Sequence, residues 1–374
     1  MNKTIGAIIA IVIVIAVAIG LHSNSKNNKS TPVATAAKTT IKKENLTITG
    51  AGSTFAAPLY GQLGSEYKAK AETTINYQSV GSGAGVTQFI ANTVNFGATD
   101  VALKDTEVAQ AKANGTPLNV PVAFGAVTVS YNLPGVKTGL KLDGPTIANI
   151  YLGTITNWND PAIAKLNPSV KLPDLQIAPV YRSDSSGTTG QFTQFLTDVS
   201  PQWSQQIGTG KTVQWPTGTG SSGNQGVAAT TSQTKGAIGY VELAYALQNN
   251  FTTAAVKDKT GQYVTPSLAS TSKAGQNLPN LPSDLRFTAI NSPNQGAYPI
   301  ASATFITVYQ DTCKANEVKT ADEAQALSGW INYILGPGQQ SMKKLEYAPL
   351  PSTLLTKAQA MVGTMTCNGT KIPT

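Results

Sequence analysis

Short β-rich runs alternate with runs of helical period through most of this chain, and no other feature restricts its fold as much. "TINYQSV" (74 to 80) reads as a strand, and in "GVTQFIANTV" (85 to 94) Val86, Phe89, Ile90 and Val94 share one helical face. "VPVAFGAVTVSYNL" (120 to 133) and "QIAPVYRS" (176 to 183) read as strands, whereas "GPTIANIYLG" and "GQFTQFLTDV" read as helices, the latter through Phe192, Phe195, Leu196 and Val199. "AIGYVE" and "ATFITVYQ" add two more strands. Towards the C-terminus Thr320 and Glu323 have capping-box spacing ahead of Leu327, Trp330, Ile331 and Ile334, and a second helix is expected from about Ser352 to Met365. Strands that alternate with helices point to an α/β protein with mostly parallel sheets. Some 330 residues are more than one core usually organises, so two domains are expected.

Composition narrows the function. The formal charge is +8, but residues 1 to 45 hold six lysines against Glu44, which leaves a near-balanced body with no basic stripe for nucleic acid. The sole histidine is His22, so the body has no imidazole, which removes Ser-His-Asp and Cys-His hydrolases and His-containing zinc sites. No metal and no cofactor is called for. After Lys3 an uncharged apolar run extends from Ile5 to Leu21, at the border between a signal-peptide core and a short membrane span. No cysteine follows for lipidation, and no small-x-small site lies just past the run. Residues 1 to 21 are therefore expected to be an uncleaved anchor, with a cleaved signal as the alternative, and 22 to 45 a flexible polar tether. Either way the body is exported. In that setting Cys313 and Cys367 read as one disulfide, with two buried thiols as the alternative.

Three loops share one construction. "GAGSTFAAP" (50 to 58), "GSGAG" (81 to 85) and "SDSSGTTG" (183 to 190) each follow a strand or strand start and precede a helix. Helix N-termini expose unbonded N–H groups with partial positive charge, and glycine lets an anion approach the backbone. Ser53, Thr54, Ser82, Ser186 and Thr188 add hydroxyls, although each such loop taken singly is equally an ordinary N-cap. The third loop also contains Arg182, one of only two arginines in the chain, and Asp184 is placed to brace its guanidinium. The other arginine, Arg286, has no such loop and is assigned to structure. Asp100, closing "NTVNFGATD", is either a turn aspartate or, beside an anion pocket, an acceptor for a ligand that still bears a proton. "GTGKT" (208 to 212) imitates the end of a phosphate loop, but the required first glycine is Gln205 and no strand leads in.

In their order these segments resemble the periplasmic phosphate-binding proteins of ABC-type phosphate importers. The resemblance runs from about Thr47 to about Leu354 and includes "GAGSTFAAPLY", "VGSGAGVTQFIANTVNFGATDVAL", "IYLGTITNWNDPAIAKLNP", "YRSDSSGTTGQFTQFL", "GTGKTVQWPTGTGSSGNQGVAA", "KGAIGYVELAYA" and "YPIASATFI". It implies a type II binding-protein fold of two α/β lobes joined by two crossovers, with lobe one at 46 to 124 and 297 to 374 and lobe two at 125 to 296. It further implies that phosphate is held by Thr54, Phe55, Ser82, Asp100, Arg182, Ser186, Gly187 and Thr188, with Ser53 and Asp184 behind them. Asp100 falls on the aspartate that accepts the ligand's proton. Ser53 departs from the family's usual alanine, and Ala84 replaces a glycine or serine. The expected partners are inorganic phosphate and a membrane permease, the expected state is a monomer, and another oxyanion or a phosphatase-like activity is the competing reading.

Overall fold

The computed structural model describes residues 45–278, 281–315 and 317–373. The expected anchor and, apart from Asn45, the expected tether lie outside the described residues. Among those residues no helix is long and apolar enough to cross a membrane.

The framework is a nine-stranded mixed sheet curled through two α/β lobes. In the first lobe Thr47–Gly52 lies between Thr74–Ser79 and Phe96–Thr99, parallel to both, with Ala57–Ala71 and Ser82–Ile90 as the crossover helices. In the second lobe Ala178–Arg182 lies between Thr219–Ser221 and Ala237–Glu242, again all parallel, with Gly187–Val199 and Gly223–Gln233 as helices. One strand runs through both lobes. Pro117–Tyr131 is buried along nearly all of its fifteen residues, as a continuous apolar run requires. Its antiparallel partner is Ala301–Tyr309 up to Ala126, and Ala237–Glu242 from Val127 onward. The register slips at Thr304/Phe305, opposite Pro121, which has no N–H to give to a ladder. The sheet is thus parallel among the three strands named for each lobe and antiparallel wherever Pro117–Tyr131 or Ala301–Tyr309 takes part.

Local signals account for the elements that hold the binding loops. Gly52 ends its strand at φ 142°, where a Cβ would strike the backbone of Ala98. Ser186 caps Gly187–Val199 by accepting the Thr189 amide at 3.0 Å, and Phe192, Phe195 and Leu196 bury that helix's inner face. Thr320 and Glu323 cap Ala321–Ile334 reciprocally, at 3.1 and 3.3 Å. Two expected boundaries differ. The helix expected over 85 to 94 starts at Ser82 and ends at Ile90, because Asn92 turns left-handed at φ 57°; Val94 is buried without being helical. The C-terminal helix is Ser352–Val362, ending before Met365. Cys313 and Cys367 are joined by a disulfide that ties the C-terminal hairpin to the turn after the returning strand.

Candidate functional site

The three glycine-rich loops meet Asp100 at the C-terminal ends of the parallel strands, where open α/β sheets place their ligands. In the first loop Ser53 accepts the Ala56 amide at 3.0 Å and donates to Asp100 Oδ1 at 2.5 Å. Thr54 and Phe55 follow, both buried. Tyr245 donates to the Thr54 carbonyl at 2.8 Å and Tyr347 to that of Phe55 at 2.6 Å, which clamps this backbone from both sides. In the second loop Ser82 opens its helix and donates to Asp100 Oδ2 at 3.1 Å.

Asp100 is 2% exposed and accepts a third hydroxyl bond, from Thr304 at 2.8 Å. Burial pushes its carboxyl above the usual aspartate range, and the three hydroxyls and the Arg182 charge oppose that shift. The result is a desolvated acceptor, held on several sides, that takes up a proton more readily than an exposed aspartate.

The third loop supplies the opposite polarity. Arg182 forks onto Asp184, Nε to Oδ1 at 2.7 Å and Nη2 to Oδ2 at 2.5 Å, and Nη1 donates to Thr188 Oγ1 at 3.3 Å. Tyr240, stacked on Phe192 with ring centroids 4.3 Å apart, accepts the Arg182 amide at 3.0 Å. Burial alone would raise the Asp184 carboxyl, but the Arg182 hydrogen bonds and charge, with the Gly223 amide, hold it below the usual range. Gly187 sits so close to the first lobe that a Cβ would collide with Ser82 and Asp100, so only glycine allows this approach. Among the described residues the amides of Phe55, Gly187 and Thr188 make no bond to a protein group. Helix starts leave such donors free for an anion.

All eight residues expected to hold the ligand converge here, with Ser53 and Asp184 directly behind. The structure adds others to which sequence reasoning gave no role. Asn224 bridges the lobes, bonding Thr54 and Thr188; Gln191 donates to the Asp100 carbonyl at 2.7 Å; and Thr304 and Tyr245 act as described. Asn224 had a signal, since "SSGNQG" is a fourth glycine-rich loop at a helix start. Thr304 lies inside a strand and had none. Lys211 of the false phosphate loop pairs with Glu107 at 2.5 Å, and its carbonyl accepts the Ser186 amide at 2.8 Å. That segment supports the third loop and does not present a phosphate cradle of its own. Among the described residues no group of three or more Cys, His, Asp and Glu side chains converges as a metal site would need.

Two lobes closing on a buried set of donors with one carboxylate acceptor are the construction of a solute-binding protein for an oxyanion. Residues 29–337 match the family model described as the PBP superfamily domain. The phosphate-binding protein PstS of Xylella fastidiosa (strain Temecula1) is 39% identical over 343 residues, which covers 90% of this chain and 92% of that protein. The phosphate-binding protein PstS of Pasteurella multocida is 41% identical over 317 residues, covering 84% and 89%. The periplasmic phosphate-binding protein PfluDING, solved with phosphate bound, superposes with TM-score 0.69 at 21% identity over 84% of this chain and 93% of its own. The chain belongs to the PBP superfamily and, within it, to the phosphate-binding protein PstS family.

Proposed function

We propose that this protein captures inorganic phosphate on the outer side of the cell membrane and delivers it to an ABC-type permease. The observation that carries the reading is the pairing of one buried acceptor, Asp100, with the donor set built around Arg182. The Thr54 hydroxyl, the Phe55 amide and the third-loop donors Arg182, Ser186, Gly187 and Thr188 surround the anion beside Ser82, which gives its proton to Asp100 Oδ2, and Asp100 accepts a hydrogen bond from the proton of hydrogen phosphate. Sulfate has no proton at neutral pH, so its oxygen would meet the carboxylate with lone pairs opposed. The site binds without chemistry: the body has no histidine, and no second carboxylate touches Asp100 as a base or nucleophile partner would.

Opening and closing are assigned to the two crossings of the chain between the lobes, with lobe one at 46 to 124 and 297 to 374 and lobe two at 125 to 296. The change of partner between Ala126 and Val127, close to the first crossing, supports that division. Because donors come from both lobes, phosphate stabilises the closed state, and that closed state is what a permease distinguishes. The N-terminal segment tethers the protein to the outer face of the membrane, or the protein is secreted after its cleavage.

Titration calorimetry on the full-length protein with phosphate, sulfate and arsenate tests the reading. Phosphate is expected to bind one to one, with sulfate weaker by roughly four orders of magnitude. Asp100→Asn should close most of that gap. An Asp100→Asn protein that still rejects sulfate overturns the role of Asp100, and no phosphate binding by the wild type overturns the function.

A further inference from the structure

Asn224 lies outside the three anion loops and is wholly buried. Its orientation is fixed: Oδ1 accepts the Glu242 amide at 2.9 Å, so Nδ2 must donate. That Nδ2 reaches Thr54 Oγ1 at 3.0 Å on the first lobe and Thr188 Oγ1 at 3.1 Å on the second. The Asn224 backbone amide donates to Thr54 Oγ1 as well, at 3.1 Å, and Arg182 Nη1 donates to Thr188 Oγ1 at 3.3 Å.

A hydroxyl has two acceptor lone pairs and one proton. Thr54 Oγ1 and Thr188 Oγ1 each have both lone pairs occupied, and among the described residues neither donates to a protein group. Their remaining capacity is donation alone. A free hydroxyl in an anion site can turn either way and serves a proton donor and a proton acceptor equally; these two cannot.

We propose that Asn224 is a positioning and specificity-determining residue that commits the Thr54 and Thr188 hydroxyls to donating into the site, and that at Thr54 it does so only when the lobes are closed. This rests on the oxyanion reading above. The Asn224–Thr54 bonds join the two lobes, so closure and the ordering of the Thr54 hydroxyl are one event, whereas Thr188 lies on Asn224's own lobe. An opened site loses the carboxamide from Thr54 and leaves that hydroxyl free to rotate. Donation at Thr54 and Thr188 leaves Asp100 as the acceptor among the surrounding side chains, which places the single ligand proton on one oxygen. Glu242, whose carboxylate caps the next helix by accepting the Ala244 amide at 2.7 Å, holds Asn224 through its backbone and so anchors the device on a strand end.

The test compares Asn224→Asp and Asn224→Ala with the wild type, each as full-length protein, by phosphate calorimetry between pH 5 and pH 8. Asn224→Asp replaces the donor by an acceptor of similar shape that draws both threonine protons out of the site and adds a negative charge. It should weaken phosphate binding at pH 8 by at least about 100-fold. Asn224→Ala removes the donor without competing for the protons and should cost about tenfold. The affinity of Asn224→Asp relative to Asn224→Ala should recover as the pH falls and the introduced carboxyl takes up a proton, a response that a purely structural role would not produce. The proposal is overturned if Asn224→Asp binds within threefold of wild type, or if both variants lose affinity equally at every pH. Should Asn224→Asp fail to fold, a double-mutant cycle between Asn224→Ala and Thr188→Val decides: losses that overlap support the proposal, and losses that add overturn it. The wild-type titration keeps the two readings apart. If it takes another oxyanion in place of phosphate, the phosphate reading fails and the same variants are compared on that anion; if it takes none, both fail.

Discussion

The chain has two arginines, and each pairs with an aspartate two residues away through an Nε bond of 2.7 Å, Arg182 with Asp184 and Arg286 with Asp284, but only Arg182 closes a bidentate fork, whereas Asp284 takes its second bond from the Arg286 backbone amide. Each also uses Nη1: Arg182 on Thr188, Arg286 on Asp105 and the Leu103 carbonyl. Burial separates them. The Arg182 side chain is 1% exposed and that of Arg286 26%, and Asp105 is almost fully exposed. Arg286 lies on an open depression of about 550 Å³ lined also by Lys104 and Pro282, where its side chain is open to solvent. The remaining N–H groups of Arg182 are buried, and a buried donor without a partner is costly. An anion brought into the site removes that cost, so the same local pair serves binding in one place and surface structure in the other.

The largest effect expected from this contrast is on Arg182→Met, which should weaken phosphate binding by roughly three orders of magnitude in calorimetry, as loss of one member of a buried charged pair does. A variant that kept micromolar-or-better affinity within tenfold of wild type would mean that the backbone donors suffice. Asp184→Asn keeps the guanidinium but loosens its fork, and about a 30-fold loss is expected, mostly as faster release in stopped flow. The same variant bears on pH. A carboxyl held below its usual range in the folded state contributes stability that is present above its unfolded value and fades as the pH drops through the folded one. Asp184 and Asp284 are both lowered, by hydrogen bonds and charge from their arginines against the opposing effect of burial. In acid unfolding below about pH 4, Asp184→Asn should flatten the acid limb more than Asp284→Asn, because Asp284 is half exposed and solvent screens its pair. The smallest effect belongs to Arg286→Met: affinity within about threefold of wild type, and at most about 1 kcal/mol of stability lost by chemical unfolding. A large loss of affinity there would erase the distinction between the two arginines.

How far the site could be read from the chain depended on the separation of the partners. Asp184 braces Arg182 across two residues, Ser186 caps its own helix three residues on, and the Thr320 and Glu323 box is equally local; backbone geometry alone brings such groups together. Periodicity likewise located the helices that follow the second and third loops, and failed at Val94 because a left-handed Asn92 ends the helix without glycine or proline to announce it. The ordered resemblance of seven segments then joined the three loops into one site, which no single loop could have justified.

Chemistry that depends on residue type and short spacing was already settled in the amino-acid order: an imidazole-free body, helix starts rich in glycine and hydroxyls, and an arginine with its aspartate beside it. Contacts across long loops were not. Thr304 reaches Asp100 from 204 residues away, Tyr245 reaches Thr54 from 191, and Asn224 reaches Thr54 from 170. The first forms only once lobe one has brought its two chain segments together, and the other two only once both lobes have folded and closed. The direction of each hydroxyl was also decided there, because serine and threonine donate or accept according to which neighbours occupy their lone pairs; for Thr54 those neighbours come from the other lobe, and for Thr188 from a distant helix start of its own lobe.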